Sequence, residues 1–219
     1  MVSPTGKGPQ SEAGRRTKLA IEAACRALID AEDELTELDR VTGDGDLGTS
    51  MERAARAVQG SVGLYPLDDL PATLKAIGHT LRRELGGSSG PLYGVLFLRC
   101  GNVLGNSGAT GLGEWVEALE QGCLAISELG GAKPGDRTML DALDPFVKTL
   151  KKSAGGRTWR EGVIAAVEAA ELGVEATAQM KPRVGRSSYL GDRVVGFPDP
   201  GAKAIAIWVR AASEVLLVR

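Results

Sequence analysis

Apolar residues recur at helical spacing along most of the chain. In the first run, Ile21, Cys25, Leu28, Leu35 and Leu38 fall near one face, the i, i+4, i+7 repeat of an amphipathic helix. This predicts a helix from a Ser11 N-cap to about Leu38. Similar runs predict helices over 48–62, 69–84, 89–104, 113–129, 139–153, 158–179 and 200–217. Gly- or Pro-containing breaks separate most of them, at Gly63–Pro66, Gly86–Gly87, Gly105–Gly113, Gly130–Gly135 and Gly155–Gly156. No segment alternates at the strand period of two. Eight predicted helices with mostly short connections imply antiparallel neighbours, hence an all-α up-and-down bundle or barrel. The 30 Gly concentrate in the breaks, so backbone at the helix ends is expected to approach something closely.

Length and composition narrow the class. With 219 residues and a prior of about 150 per domain, the expectation is a flexible tail over 1–11 and one domain over 12–219. Apolar residues at 43% and charged residues at 25% describe a globular chain. A net charge of -2 argues against non-specific nucleic-acid binding, which needs a basic excess. The 3 Cys (Cys25, Cys100, Cys123) show no metal-ligand spacing, which points to a reducing cytoplasm rather than a disulfide scaffold. No stretch is apolar enough to span a membrane, and residues 1–11 have no signal-peptide core.

Candidate chemistry concentrates in three segments. The first is Leu38-Asp39-Arg40-Val41-Thr42-Gly43-Asp44-Gly45-Asp46-Leu47-Gly48-Thr49-Ser50-Met51. Its carboxylates Asp39, Asp44 and Asp46 sit close in sequence and repel unless a cation lies among them. Hard oxygen ligands in a flexible loop suit Mg²⁺ or Ca²⁺. An EF-hand register starting at Asp44 fails, with Gly48 at its fifth position and Ala55 at its twelfth. Gly43-x-Gly45-x-x-Gly48 fits a dinucleotide pattern but follows no strand, and its aspartates would repel a bare pyrophosphate. A Walker A loop is absent. Carboxylates holding Mg²⁺ against phosphates remain, beside the plainer reading of a solvated acidic turn capping the next helix.

The second segment, Gly86-Gly87-Ser88-Ser89-Gly90-Pro91, satisfies GxSxG. A serine hydrolase would need a preceding strand and a later His, and the single His, His79, comes before it. The segment is either an anion site at a helix start or a capping turn with Ser88 or Ser89 as N-cap. The third runs from Gly185 through Arg186 and Arg193 to Phe197-Pro198-Asp199-Pro200-Gly201. Its arginines suit phosphate, while Asp199 before Pro200 makes a good helix N-cap. His79, among apolar residues of a predicted helix, reads as a surface or structural histidine.

The stretches LDRVTGDGDLGTSM, GGSSGPLYG, PGDRTMLDAL and GRSSYLGDRVVGFPDPGA, in this order from Leu38 to Ala202, resemble the nucleotide-binding L subunit of dihydroxyacetone kinases, the DhaL or Dak2-type domain. The resemblance implies an antiparallel up-and-down eight-helix barrel with nucleotide at one end. It implies that Asp39, Asp44 and Asp46 coordinate two Mg²⁺ bridging the phosphates of ADP or ATP. Leu47, Gly48, Thr49 and Ser50, with Ser88 and Ser89, would line the phosphate cradle. Gly130, Met139 and Arg186 would surround the nucleoside, and Asp199, Pro200 and Gly201 would close the site. No catalytic side chain is implied, because the ketose is held on a separate K-type subunit.

The phosphate donor is then free ATP, or a phosphotransferase-system protein that recharges bound ADP. A nucleotide-sensing regulator is the alternative from another class. Leu47 and Phe197 stand where the family usually has histidine, and neither of those positions is a metal ligand. Fatty-acid kinase domains carry GARGNSG where this chain has SSGPLYG and fit less well; Gly105-Asn106-Ser107-Gly108 echoes that motif out of position and is expected to be a loop. An apolar rim near Leu92, Tyr93 and Phe197 is the expected partner contact.

Overall fold

A computed structural model describes residues 10–108, 110–153 and 158–218. Most of the expected tail lies outside the described residues. The first helix, α1 (Glu12–Asp30), starts where Ser11 Oγ accepts the Gly14 N–H at 3.0 Å. The expected continuation to Leu38 is broken at Ala31, and a separate helix α2 (Glu32–Thr42) follows. Glu32, Asp33 and Glu34 account for the break, since three acids favour the positive end of a new helix over the middle of a long one. Helix α2 also runs past Leu38, so Asp39 lies on a helix rather than in a loop.

The remaining helices are α3 (Leu47–Ser61), α4 (Leu70–Glu84), α5 (Ser89–Ser107), α6 (Leu112–Gly130), α7 (Leu140–Ser153), α8 (Trp159–Thr177) and α9 (Pro200–Leu217). Among the described residues there is no strand. From α3 to α9 each helix packs on the next, and α1 packs on both α3 and α9, which closes the ring; α2 leans on α3 and α9 beside it. The barrel of eight is therefore present with its first member bent into two pieces. Its core contains Leu35, Met51, Leu96, Leu104, Ile126, Leu140, Leu143 and Ile205, all fully buried. No helix among the described residues is long and apolar enough to cross a membrane.

Two further expectations change. Helix α5 continues through Gly105, Asn106 and Ser107, which are not a loop, and ends at Gly108 with φ +67°. A glycine with helical dihedrals does not stop a helix; one in the left-handed region does. Tyr93 is not on a rim. It is 4% exposed on the inner face of α5, whereas Phe197 is exposed.

Candidate functional site

Asp39 occupies the last turn of α2 and is 7% exposed. The backbone N–H groups of Asp46 and Leu47 donate to its Oδ2 at 2.9 and 3.1 Å. One buried carboxylate thus folds the Gly43–Asp46 loop back onto the helix that precedes it. The exposed Asp44 and Asp46 then bring their oxygens within 4.8 Å of each other and of Asp39. At that separation each pair of negative charges costs on the order of 1 kcal/mol in water and about 3–4 kcal/mol near a protein surface. A positive charge among them relieves that repulsion.

Helix α3 begins at this point, and the close approach of α2 makes it possible. A Cβ on Gly48 would lie 2.1 Å from Thr36 Oγ1 and 2.2 Å from the Glu32 carbonyl oxygen, so only glycine fits at this crossing. Asp46 is the N-cap residue, but its side chain makes no capping bond and is left for the site. The N–H groups of Gly48 and Thr49 belong to the same first turn, at the positive end of the helix dipole. Leu47 turns inward against the main core, and Ser50 is buried.

The Gly86–Ser88 loop lies alongside. Ser50 Oγ is 3.9 Å from the place a Cβ on Gly86 would take, and Arg53 of α3 donates through Nε and Nη2 to the Glu84 carbonyl at 3.2 and 3.1 Å. Ser88 is the exposed N-cap residue of α5, one of the two positions the capping reading offered, but its hydroxyl makes no capping bond; Ser89 is the first helical residue. Two helix starts therefore face one small region, a favourable place for an anion.

A long connection from α8 to α9 crosses above. Its first 3₁₀ turn, Arg186–Tyr189, is pinned by Ser187 Oγ, which donates to the Thr42 carbonyl at 2.7 Å. This sets the Arg186 guanidinium against Asp44 in an ion pair and 3.6 Å from Asp46 Oδ2. The same connection joins the loop before α7, where the Arg183 N–H donates to the Asp136 carbonyl at 3.3 Å.

That second loop carries Met139, buried immediately ahead of α7. A Cβ on Gly201 would stand 3.7 Å from the Met139 Cβ, so Met139 and the Asp199-Pro200-Gly201 start of α9 are neighbours. Gly130 ends α6 with Leu92 Cδ2 3.1 Å from its would-be Cβ, and Leu92 belongs to the first turn of the helix that Ser89 begins. Asp199 caps α9, accepting the Ala202 N–H at 2.8 Å. Burial pushes the Asp199 carboxyl up to about 6, against the pull of that N–H and of Arg137. His79 is exposed on α4.

Arg137 was missed by residue-level reading. It is 1% exposed, adopts φ +64°, and donates through Nη2 to the carbonyls of Phe197 and Pro198 at 2.9 and 3.3 Å. Its Nε and Nη1 have no hydrogen-bond partner among the described residues. Asp141 shapes the same loop, accepting the Gly135 and Thr138 N–H groups at 2.5 and 2.7 Å. Sequence offered no signal for Arg137 beyond its place in PGDRTMLDAL, because an arginine is ordinarily a surface residue.

Known proteins resemble this chain over most of its length. The DAK2 domain model matches residues 41–214. The chain is 36% identical over 186 residues to the PEP-dependent dihydroxyacetone kinase, ADP-binding subunit DhaL, of Escherichia coli (strain K12), covering 83% of this chain and 87% of that protein. It is 38% identical over 216 residues to the triokinase/FMN cyclase of Homo sapiens, covering 98% of this chain and 37% of that one. The chain spans 35% to 37% of the length of the first curated relatives it matches. The crystal structure of the dihydroxyacetone kinase from C. freundii in complex with AMP-PNP and Mg²⁺ superposes with TM-score 0.75 at 31% identity, covering 98% of this chain and 36% of that chain. With a family model running from the acidic loop into α9, and a bacterial ADP-binding subunit matched over most of its length, the chain belongs to the DAK2 domain family.

Proposed function

We propose that this chain is the nucleotide- and Mg-binding part of a small-ketose kinase, a phosphotransferase acting on a dihydroxyacetone-type sugar held by a separate K-type subunit. The observation that carries this reading is the convergence of Asp39, Asp44 and Asp46, oxygens within 4.8 Å, at the N-terminal turn of α3. Three carboxylates with no nitrogen or sulfur ligand among them fit Mg²⁺ by donor chemistry. When bound there, two Mg²⁺ ions supply charge neutralisation on the phosphates of ADP or ATP.

The chain's own residues bind and orient. Asp39 fixes the acidic loop through the two backbone N–H groups it accepts. The turn Leu47 to Ser50, with Ser88 and Ser89, receives the phosphates at two helix starts. Gly130, Met139 and Arg186 surround the nucleoside, and Asp199, Pro200 and Gly201 close that end. No side chain here acts as nucleophile or base; positioning and electrostatics carry phosphoryl transfer. The names of the E. coli subunit and the C. freundii complex, which specify ADP, AMP-PNP and Mg²⁺, support the ligand class. The PEP-dependent relative supports recharging of bound ADP by a phosphotransferase-system protein, with free ATP as the other donor scheme. A cytoplasmic location fits the free cysteines Cys25, Cys100 and Cys123.

The test mixes the chain with a K-type subunit, dihydroxyacetone and Mg²⁺, with either ATP or a phosphoenolpyruvate-fed phosphotransferase system. Ketose phosphate under either donor is the expected result. None under both, with nucleotide still bound after gel filtration, would assign the chain to nucleotide sensing instead.

A further inference from the structure

Arg186 and the acidic loop make a contact that the kinase reading does not use. The guanidinium pairs through Nη1 with Asp44 and lies 3.6 Å from Asp46 Oδ2, so one side chain serves two of the three carboxylates proposed as metal ligands. Its Nη2 fills a space that exists because residue 87 is glycine; a Cβ there would stand 2.8 Å away, and the backbone has φ +59°. The turn that carries Arg186 is anchored independently, through Ser187 Oγ to the Thr42 carbonyl. The guanidinium is therefore held among the Gly43–Asp46 loop, the Gly86–Ser88 loop and the end of α2, beside the three converging carboxylates.

We propose that Arg186 is the resident counter-ion of this site and that it competes with the first divalent ion for Asp44 and Asp46. The inference rests on the metal–nucleotide reading and adds its regulation. The guanidinium sits on the Oδ2 atoms of Asp44 and Asp46, so a metal that takes those oxygens, or that brings its own charge beside them, weakens or displaces the Arg186 pair. A nucleotide offers the displaced guanidinium a new partner, because the fork of donors that matches a carboxylate also matches a phosphate and stacks on a base. Metal and nucleotide then bind with positive coupling, and the coupling is reciprocal. Side-chain exposures of 45% for Arg186, 47% for Asp44 and 60% for Asp46 limit its strength. Half-exposed ion pairs are weak, so the effect is a several-fold to tenfold change in metal affinity rather than a lock.

The experiment titrates Mn²⁺ alone into the full chain and follows the free-ion signal by electron paramagnetic resonance, then repeats the titration with saturating ADP. Wild type, Arg186→Gln, Arg186→Lys and Asp44→Asn are compared. Arg186→Gln is expected to bind Mn²⁺ about five- to tenfold more tightly than wild type without nucleotide. The enhancement that ADP gives wild type should shrink by the same factor, and Arg186→Lys, which keeps the charge, should stay near wild type. Equal or weaker Mn²⁺ binding by Arg186→Gln, with binding still lost in Asp44→Asn, overturns the counter-ion role and leaves the metal site standing. Mn²⁺ binding that Asp44→Asn does not change overturns both.

Discussion

Arg137 Nη1 stands 3.7 Å from Asp199 Oδ1, with the guanidinium wholly buried. The pair is not closed into a tight fork, because Arg137 turns Nη2 to the carbonyls of Phe197 and Pro198. Asp199 is held from two other sides, its N–H donating to Thr177 Oγ1 at 2.7 Å and its Oδ2 accepting from Ala202. Together the two residues fasten the loop before α7 to the loop before α9, the segments proposed for the nucleoside end. Desolvation exceeds what such a stand-off pair returns, and burial lowers the pKa of Arg137 while raising that of Asp199.

Asp199 therefore makes stability pH-dependent. Its folded-state pKa of about 6 lies above the ordinary 3.8, so the fold prefers the protonated form. The stabilising contribution is complete below about pH 4 and is lost as pH rises through about 6, with an upper bound of about 3 kcal/mol. Urea unfolding between about pH 4 and 7.5 should show wild type losing stability relative to Asp199→Asn across that window. Parallel curves for the two proteins would contradict the assignment.

Removing the cation should also cost stability. Arg137→Met leaves Asp199 buried without a counter-charge and frees the carbonyls of Phe197 and Pro198, so a loss of about 3–5 kcal/mol is expected. The double variant Arg137→Met/Asp199→Asn should recover a large part of it, since the uncompensated charge is gone. A double-mutant cycle by denaturant unfolding reads the coupling directly. Additive losses would show that the two side chains do not interact.

Asp39 and Asp44 are expected to separate structure from ligand binding. Asp44 is exposed, so Asp44→Asn should leave the melting temperature nearly unchanged while weakening Mg-nucleotide binding by roughly tenfold or more. Asp39→Asn also loses a carboxylate that accepts two backbone N–H groups, and should cost an additional ~1–3 kcal/mol. Calorimetric titration with Mg-ADP alongside thermal unfolding distinguishes them. Identical behaviour of the two variants would remove the anchoring role of Asp39.

The helical ring was legible because the period of 3.6 and the glycine-rich breaks agree along most of the chain. The break at Ala31 was not, because the apolar stripe runs through it and only the acids Glu32, Asp33 and Glu34 favour a fresh start. Tyr93 escaped orientation for a related reason. Val95, Leu96, Phe97 and Leu98 make α5 apolar on several faces, and periodicity cannot assign an inner side to such a helix. The acidic trio was readable from spacing, but the convergence of Arg186 on it needs a contact between residues about 140 positions apart, and no local pattern encodes that.

Glycines along α3 give the sharpest test of how the proposed metal loop is shaped. A Cβ on Gly48 would meet Thr36 Oγ1 at 2.1 Å, the Glu32 carbonyl at 2.2 Å and the Thr36 nitrogen at 2.6 Å, whereas Gly60 on the same helix has nothing within 4 Å. Gly60→Ala should gain up to about 1 kcal/mol from helix propensity. Gly48→Ala should lose about 1–3 kcal/mol, because backbone must move and not merely a flexible side chain. The displacement falls between α2, which carries Asp39, and the first turn of α3, which begins beside Asp46. Metal affinity should therefore drop together with stability in Gly48→Ala and stay at the wild-type value in Gly60→Ala. Urea unfolding and Mn²⁺ titration of both variants supply the comparison, and a Gly48→Ala protein with undiminished stability would mean that α2 and α3 do not approach this closely.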